Sequence, residues 1–189
     1  DGEKAGLDSK RSEDELTYSE DEEAARLDEY IDGVIAGMTI EQKVAGIIMT
    51  SPEALTKVNL ATVAGDGTRT ALENYPVGGI CYAPKNVTSH DQFKAMITGT
   101  TGMVSVPTFF AIAEEGGKNN SPIAKVDFYE YALSPDQIVE TNDVANALNA
   151  GITIGSALSE HGLNLDLAPV ADLSSEARET LDGRTYGSS

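Results

Sequence analysis

The chain has 189 residues, with 31 Asp and Glu against 13 Lys and Arg, a formal net charge of -18 and a single cysteine, Cys81. That charge argues against binding a phosphate backbone, because affinity for nucleic acid comes largely from Lys and Arg displacing condensed counterions. It disfavours anionic membranes for the same reason. One cysteine excludes an internal disulfide and a cysteine-rich metal site, and no apolar run approaches the roughly 20 residues needed to cross a bilayer.

Much of the acidity lies before residue 25, where Asp1, Glu3, Asp8, Glu13, Asp14, Glu15, Glu20, Asp21, Glu22 and Glu23 face only Lys4, Lys10 and Arg11. Such a stretch stays solvated, so residues 1–24 are read as a disordered leader and residues 25–189 as the folded part. The start at Asp1 without methionine suits processing, and an acidic, Ser-containing spacer suits an exported protein. A cytoplasmic protein with a trimmed tail reads the same way.

From Glu22 to Met38 the residues Ala25, Leu27, Ile31, Val34 and Ile35 fall at helical spacing. Thr39 then caps a short second helix, with Gln42 placed to complete a capping box. Val44 to Met49 reads as a first buried strand with a Ser-Pro exit. Thr68 to Asn74 is helical and stops before Pro76, and Val77 to Tyr82 gives a second strand. Cys81 lies in that apolar run, as a buried inert thiol would. Helix follows from Ser89 to Met103, and Thr108 to Ala113 forms a third strand ending in the loop 114–122. One long helix runs from Ser134, with Pro135 in its first turn, to His161 and closes at Gly162. Leu163 to Val170 is the fourth strand.

Four non-alternating apolar strands separated by helices indicate a parallel sheet covered on both faces. A doubly wound open sheet and a barrel of β/α units both fit. No G-x-G-x-x-G or G-x-x-x-x-G-K-S follows the first strand, which tilts the reading towards the barrel. A complete barrel needs about 250 residues, so the fold class expected is α/β, half of a TIM-type barrel with four parallel strands.

Functional groups of either architecture collect beyond the C-terminal ends of the strands. There the third strand delivers Glu114, Glu115 and Lys118, with Gly116 and Gly117 allowing a sharp turn. Sequence neighbours at a strand end diverge, so Glu114 and Glu115 do not make an acid/base pair flanking one bond. The pair equally suits a turn in which carboxylates accept hydrogen bonds. The fourth strand delivers Asp172, followed by Arg184, whose donor fork can grip a sugar hydroxyl or a carboxylate. An Asp172–Arg184 ion pair ordering the loop is an equal alternative. Ser89-His90-Asp91 names the members of a hydrolase triad, but consecutive residues diverge and capping by Thr88 or Ser89 is the better account. His161 suits a cation at a helix C-terminus. Asn86-Val87-Thr88 is a glycosylation sequon. No spacing implies a metal or nucleotide cofactor.

Several segments together resemble the N-terminal domain of glycoside hydrolase family 3, in its bacterial β-N-acetylhexosaminidase branch. They are Met38 to Val44, Val77 to Ile80, Glu114 to Gly117, Gly162 to Asp172 and Gly183 to Ser188, in order across about residues 25 to 189. The resemblance implies a β/α barrel and retaining hydrolysis through a carboxylate nucleophile. It implies that Arg184 contacts the non-reducing sugar. The family's sugar-binding Asp before the Glu pair is Ala113 here, and the basic residues after the double glycine reduce to Lys118. The family's Lys-His loop, His-Asp acid/base loop and Asp nucleophile follow the Arg-containing motif, so no residue here takes a catalytic role. The chain alone is expected to be inert as a hydrolase, with carbohydrate as its ligand. A half barrel leaves open edges, which predicts self-association or pairing with a missing barrel half.

Overall fold

The computed structural model describes residues 19–126, 131–172 and 183–187. It divides into two compact units, 1–38 and 39–189.

In the first unit, helix α1 (Glu20–Gly37) starts at a capping box in which Ser19 and Glu22 exchange hydrogen bonds. Glu20 to Glu23 form its acidic first turn, where negative charge suits the helix dipole. The helix therefore begins inside the stretch assigned to the leader. The leader before residue 19 lies outside the described residues.

In the second unit, Thr39 and Gln42 make the expected capping box of α2 (Ile40–Gly46), at 2.9 and 3.2 Å. This helix takes Val44, which the sequence reading gave to a strand, and leaves β1 only Met49–Thr50. Gly46 ends the helix against Gly78, where a Cβ would stand 1.8 Å from the Gly46 carbonyl oxygen. No side chain fits there. Ser51 caps α3 (Pro52–Thr56), and α4 (Asp66–Asn74) stops before Pro76. β2 (Gly79–Cys81), α5 (His90–Thr101) and β3 (Phe109–Ile112) follow.

The long helix expected from Ser134 to His161 is two helices, α6 (Pro135–Thr141) and α7 (Val144–His161). Asn142 adopts left-handed backbone (φ 48) and Asp143 caps α7 through Ala145 N at 2.9 Å. Asn and Asp tolerate these roles, so the apolar period runs across a break. β4 is Leu165–Asp166, and Gly162 closes α7 in left-handed geometry (φ 82).

The four strands pair in parallel in the order β1-β2-β3-β4. A doubly wound sheet reverses strand order at a switch point. This sheet steps one way throughout, as a barrel does. One apolar cluster, including Ile80, Phe93, Ile97, Phe110, Ile112 and Leu158, fills the space between sheet and helices. Asn164 ties β4 to β3, accepting from Phe110 N at 2.8 Å and donating to the Thr108 carbonyl at 3.1 Å.

Candidate functional site

The rim at the strand C-termini is built from the loop after β3 and the segment after β4. Gly116 (φ 86) and Gly117 (φ 71) turn the β3 loop sharply. A Cβ on Gly116 would lie 2.5 Å from the Leu133 carbonyl oxygen, so the turn is pressed against the segment entering α6. Glu115 N donates to the Asn120 carbonyl at 2.9 Å and closes the turn.

Glu114 and Glu115 diverge as expected. Glu114 is buried, and its carboxylate accepts from Ile123 N at 2.9 Å and Ala124 N at 3.5 Å. Burial pushes it up to about 7, against the opposing pull of these amides and the Ser121 hydroxyl. Its carboxylate is bound into the 121–124 turn, as the hydrogen-bonded turn among the alternatives describes. Glu115 instead receives Arg184 in a two-pronged pair, with Nε and one terminal nitrogen each donating at 2.6 Å. This fork-to-fork geometry fixes the guanidinium plane. The hydrogen bonds to Glu115 raise the Arg184 pKa further, so the group stays charged.

The two-pronged ion pair seen on Arg184 is thus with Glu115. Asp172 is exposed and adds its charge to the surroundings of Arg184. Lys118 stands exposed on the turn and, among the described residues, makes no hydrogen bond or ion pair. The structure therefore brings Glu115 and Arg184 together and leaves Lys118 apart.

Two rim residues escaped sequence reading. Asp166, at the end of β4, accepts from Glu114 N at 3.0 Å, and burial raises its carboxyl pKa, helped by the charge of Glu115. A carboxylate inside an otherwise apolar run was the available signal. Tyr186 joins Glu114 and Glu115 at the mouth of a groove of about 400 Å3. That groove continues away from the rim, along Ala147, Ala150 and Ile154 of α7.

Other expectations resolve by burial. Asn86 of the sequon is fully buried, its amide donating to Glu53 at 2.6 Å and to the Ala61 carbonyl at 2.8 Å. The folded chain offers no acceptor nitrogen there. Ser89 caps α5 through Gln92 N at 3.2 Å, which disposes of the triad. His161 is a core residue: its Nδ1 lies 2.8 Å from the Ala157 carbonyl and its ring contacts His90 and Phe93. Cys81 is half-buried, and burial raises its thiol pKa. Among the described residues no three His, Cys, Asp or Glu gather as metal ligands, and no helix is long and apolar enough to cross a membrane.

Four parallel strands in barrel order with helices outside them define a barrel-like β/α domain. Residues 39–189 match the Glycosyl hydrolase family 3 N terminal domain, and the chain belongs to that family. Among solved structures it is similar to a family 3 β-N-acetylglucosaminidase from Paenibacillus sp. FPU-7, at 23% identity and TM-score 0.56 over 70% of this chain and 24% of that one. A family 3 glycosyl hydrolase from Mycobacterium smegmatis matches at 21% identity and TM-score 0.60, over 81% of this chain and 43% of that one. NagZ from Neisseria gonorrhoeae matches at 19% identity and TM-score 0.57, over 75% and 42%. The likeness is one of fold, and the chain spans less than half the length of each of these structures. No curated protein matches it.

Proposed function

We propose that this chain forms the sugar-holding half of a family 3 glycosidase site for a β-linked N-acetylhexosamine, and that the 189 residues hold the sugar without cleaving it. The observation that carries the reading is the Arg184–Glu115 pair at the rim. A guanidinium locked in one plane offers directional donors to sugar oxygens without first losing side-chain freedom. Family membership and the relatives named as β-N-acetylglucosaminidases support the sugar class.

Cleavage needs an acid and a nucleophile or base about 5 to 10 Å apart across the bond. The Glu114 carboxylate is held by the amides of its turn and Glu115 is committed to Arg184, so neither serves. Glu114 owes its raised pKa to burial, and its carboxylate is taken up by the Ile123 and Ala124 amides. The test joins turnover to binding. No aryl β-N-acetylglucosaminide should be hydrolysed by this chain, whereas N-acetylglucosamine should perturb its NMR spectrum. Arg184→Lys should weaken that binding at least about tenfold, since Lys cannot reproduce a two-pronged fork. Turnover that disappears in Arg184→Lys, or binding that survives it, would overturn the reading.

A non-catalytic carbohydrate-binding or scaffold role on the same half barrel is favoured by Ala113, which stands where the family pattern has a sugar-binding Asp. Ala113→Asp should strengthen binding if the rim is an enzyme's, and leave it unchanged if the ligand sits elsewhere. The acidic stretch ahead of the folded part fits a spacer in an exported protein, which fractionation of the source cells would test.

A further inference from the structure

The carboxylate of Asp166 is out of place in its strand. Leu163, Leu165 and Leu167 flank it in sequence, and it stands in register with Ile112 of β3, a member of the buried apolar cluster. Burial works against the charged form and the negative charge of Glu115 adds to it, so the carboxyl pKa is raised. An apolar side chain would carry no such penalty. The contact that Asp166 makes is with the neighbouring strand, where its Oδ1 accepts the Glu114 N–H at 3.0 Å.

We propose that Asp166 is a positioning residue for the Arg184–Glu115 pair, its side-chain oxygen fixing the Glu114–Glu115 peptide so that the Glu115 carboxylate meets the guanidinium squarely. The proposal rests on the reading of that pair as the element that holds sugar. Glu115 N donates to the Asn120 carbonyl at 2.9 Å and the Glu114 carboxylate accepts from Ile123 N at 2.9 Å, so the two residues are tied to their own loop. Asp166 ties them to β4, and from β4 the chain continues to Arg184. One side chain thereby joins the strand that delivers Glu115 to the strand that leads to Arg184. A two-pronged pair tolerates little misalignment, because two N–H groups must meet two oxygens at once, and both contacts are 2.6 Å here.

Asn164 supplies the comparison. It too reaches from the β4 segment to β3, accepting from Phe110 N at 2.8 Å and donating to the Thr108 carbonyl at 3.1 Å, but at the end of the ladder away from Glu115. Loss of either side chain loosens β4 from β3. Only loss of Asp166 releases the peptide that carries Glu115.

The Arg184 Nε–H proton, followed by NMR in the sugar-free chain and assigned by its absence from Arg184→Lys, reports the pair directly. In Asp166→Ala its exchange with water should quicken at least about tenfold, the loss expected of one hydrogen bond to a charged group, and N-acetylglucosamine binding should weaken in step. Asp166→Asn keeps an acceptor oxygen and should bring the exchange rate back close to that of the unaltered chain. Asn164→Ala should lower stability in urea and leave the Arg184 signal of the folded chain as it was. An Asp166→Asn as damaging as Asp166→Ala would overturn the proposal. So would an unchanged Arg184 signal in Asp166→Ala, or an Asn164→Ala that loosens Arg184 equally. The expected exchange pattern in a chain that binds no sugar would uphold the positioning and refute the sugar reading. Should a variant unfold, hydrogen exchange of the unaltered chain in rising, sub-denaturing urea gives the same decision. The Glu114 amide and Arg184 Nε–H should lose protection together and ahead of the Phe110 amide, and independent loss would refute the coupling.

Discussion

Asn86→Ala should be among the most damaging single substitutions in the second unit. The Asn86 side chain is fully buried and serves three partners: its amide donates to Glu53 Oε1 at 2.6 Å and to the Ala61 carbonyl at 2.8 Å, while its oxygen accepts from Ala83 N at 2.8 Å. Burial works to raise the Glu53 pKa, but the hydrogen bonds from backbone amides, Asn86 and Lys85 outweigh it and hold the carboxyl below the usual range. Glu53 therefore stays ionised and needs its donors. Truncation leaves the Ala61 carbonyl and the Ala83 N–H unmet and removes one donor from the Glu53 carboxylate, which retains Ala61 N at 3.2 Å. Each stranded buried group costs about 1–3 kcal/mol, so the total expected is about 3–5 kcal/mol, a large share of the ~5–15 kcal/mol that holds a domain folded. Urea denaturation followed by far-UV circular dichroism measures it, with an unchanged m-value confirming the same transition. A loss below about 1 kcal/mol would show that the network is not a joint of the fold, contrary to the cost of stranding buried polar groups.

Two further outcomes follow from the rim. Glu114 has a folded-state pKa raised to about 7, so the folded chain keeps a proton that the unfolded chain releases near its ordinary value. Its contribution is fully present below about pH 4.5 and is lost as pH rises through about 7, a decline of up to roughly 3 kcal/mol that Glu114→Gln should remove; parallel pH profiles for the two proteins would contradict this. Gly116→Ala places a methyl 2.5 Å from the Leu133 carbonyl oxygen at a left-handed φ, and should lower stability by about 1–3 kcal/mol in thermal unfolding. Glu115 stands next to this glycine, so the sugar binding proposed for the Arg184–Glu115 pair should weaken with it.

Local signals in the sequence carried most of the fold. Thr39 with Gln42, Ser89 and Gly162 marked helix ends that the structure shows, because caps are satisfied by residues three or four apart. The four parallel strands followed from the apolar runs, though the runs overstated strand length: Val44 and Leu163 to Asn164 lie outside the ladders. The break at Asn142 was hidden because Val139 and Val144 keep the apolar texture on either side. The rim was legible as a set of charged residues and illegible as a set of pairs. Arg184 reaches a partner 69 positions earlier, and nothing in local spacing chooses Glu115 over Asp172. Likewise, Asn86 reads as a surface sequon until the fold folds Ala61 and Glu53 around it.

The stitching of β4 to β3 has a consequence for how this architecture can vary. Asn164 and Asp166 hold β4 through the Thr108 carbonyl, Phe110 N and Glu114 N, all contributed by β3 or its flanks. The alignment of the two strands is therefore written into contacts that make no use of the helical excursion between them. The breakpoint at Asn142 can therefore move without disturbing the register of β3 and β4.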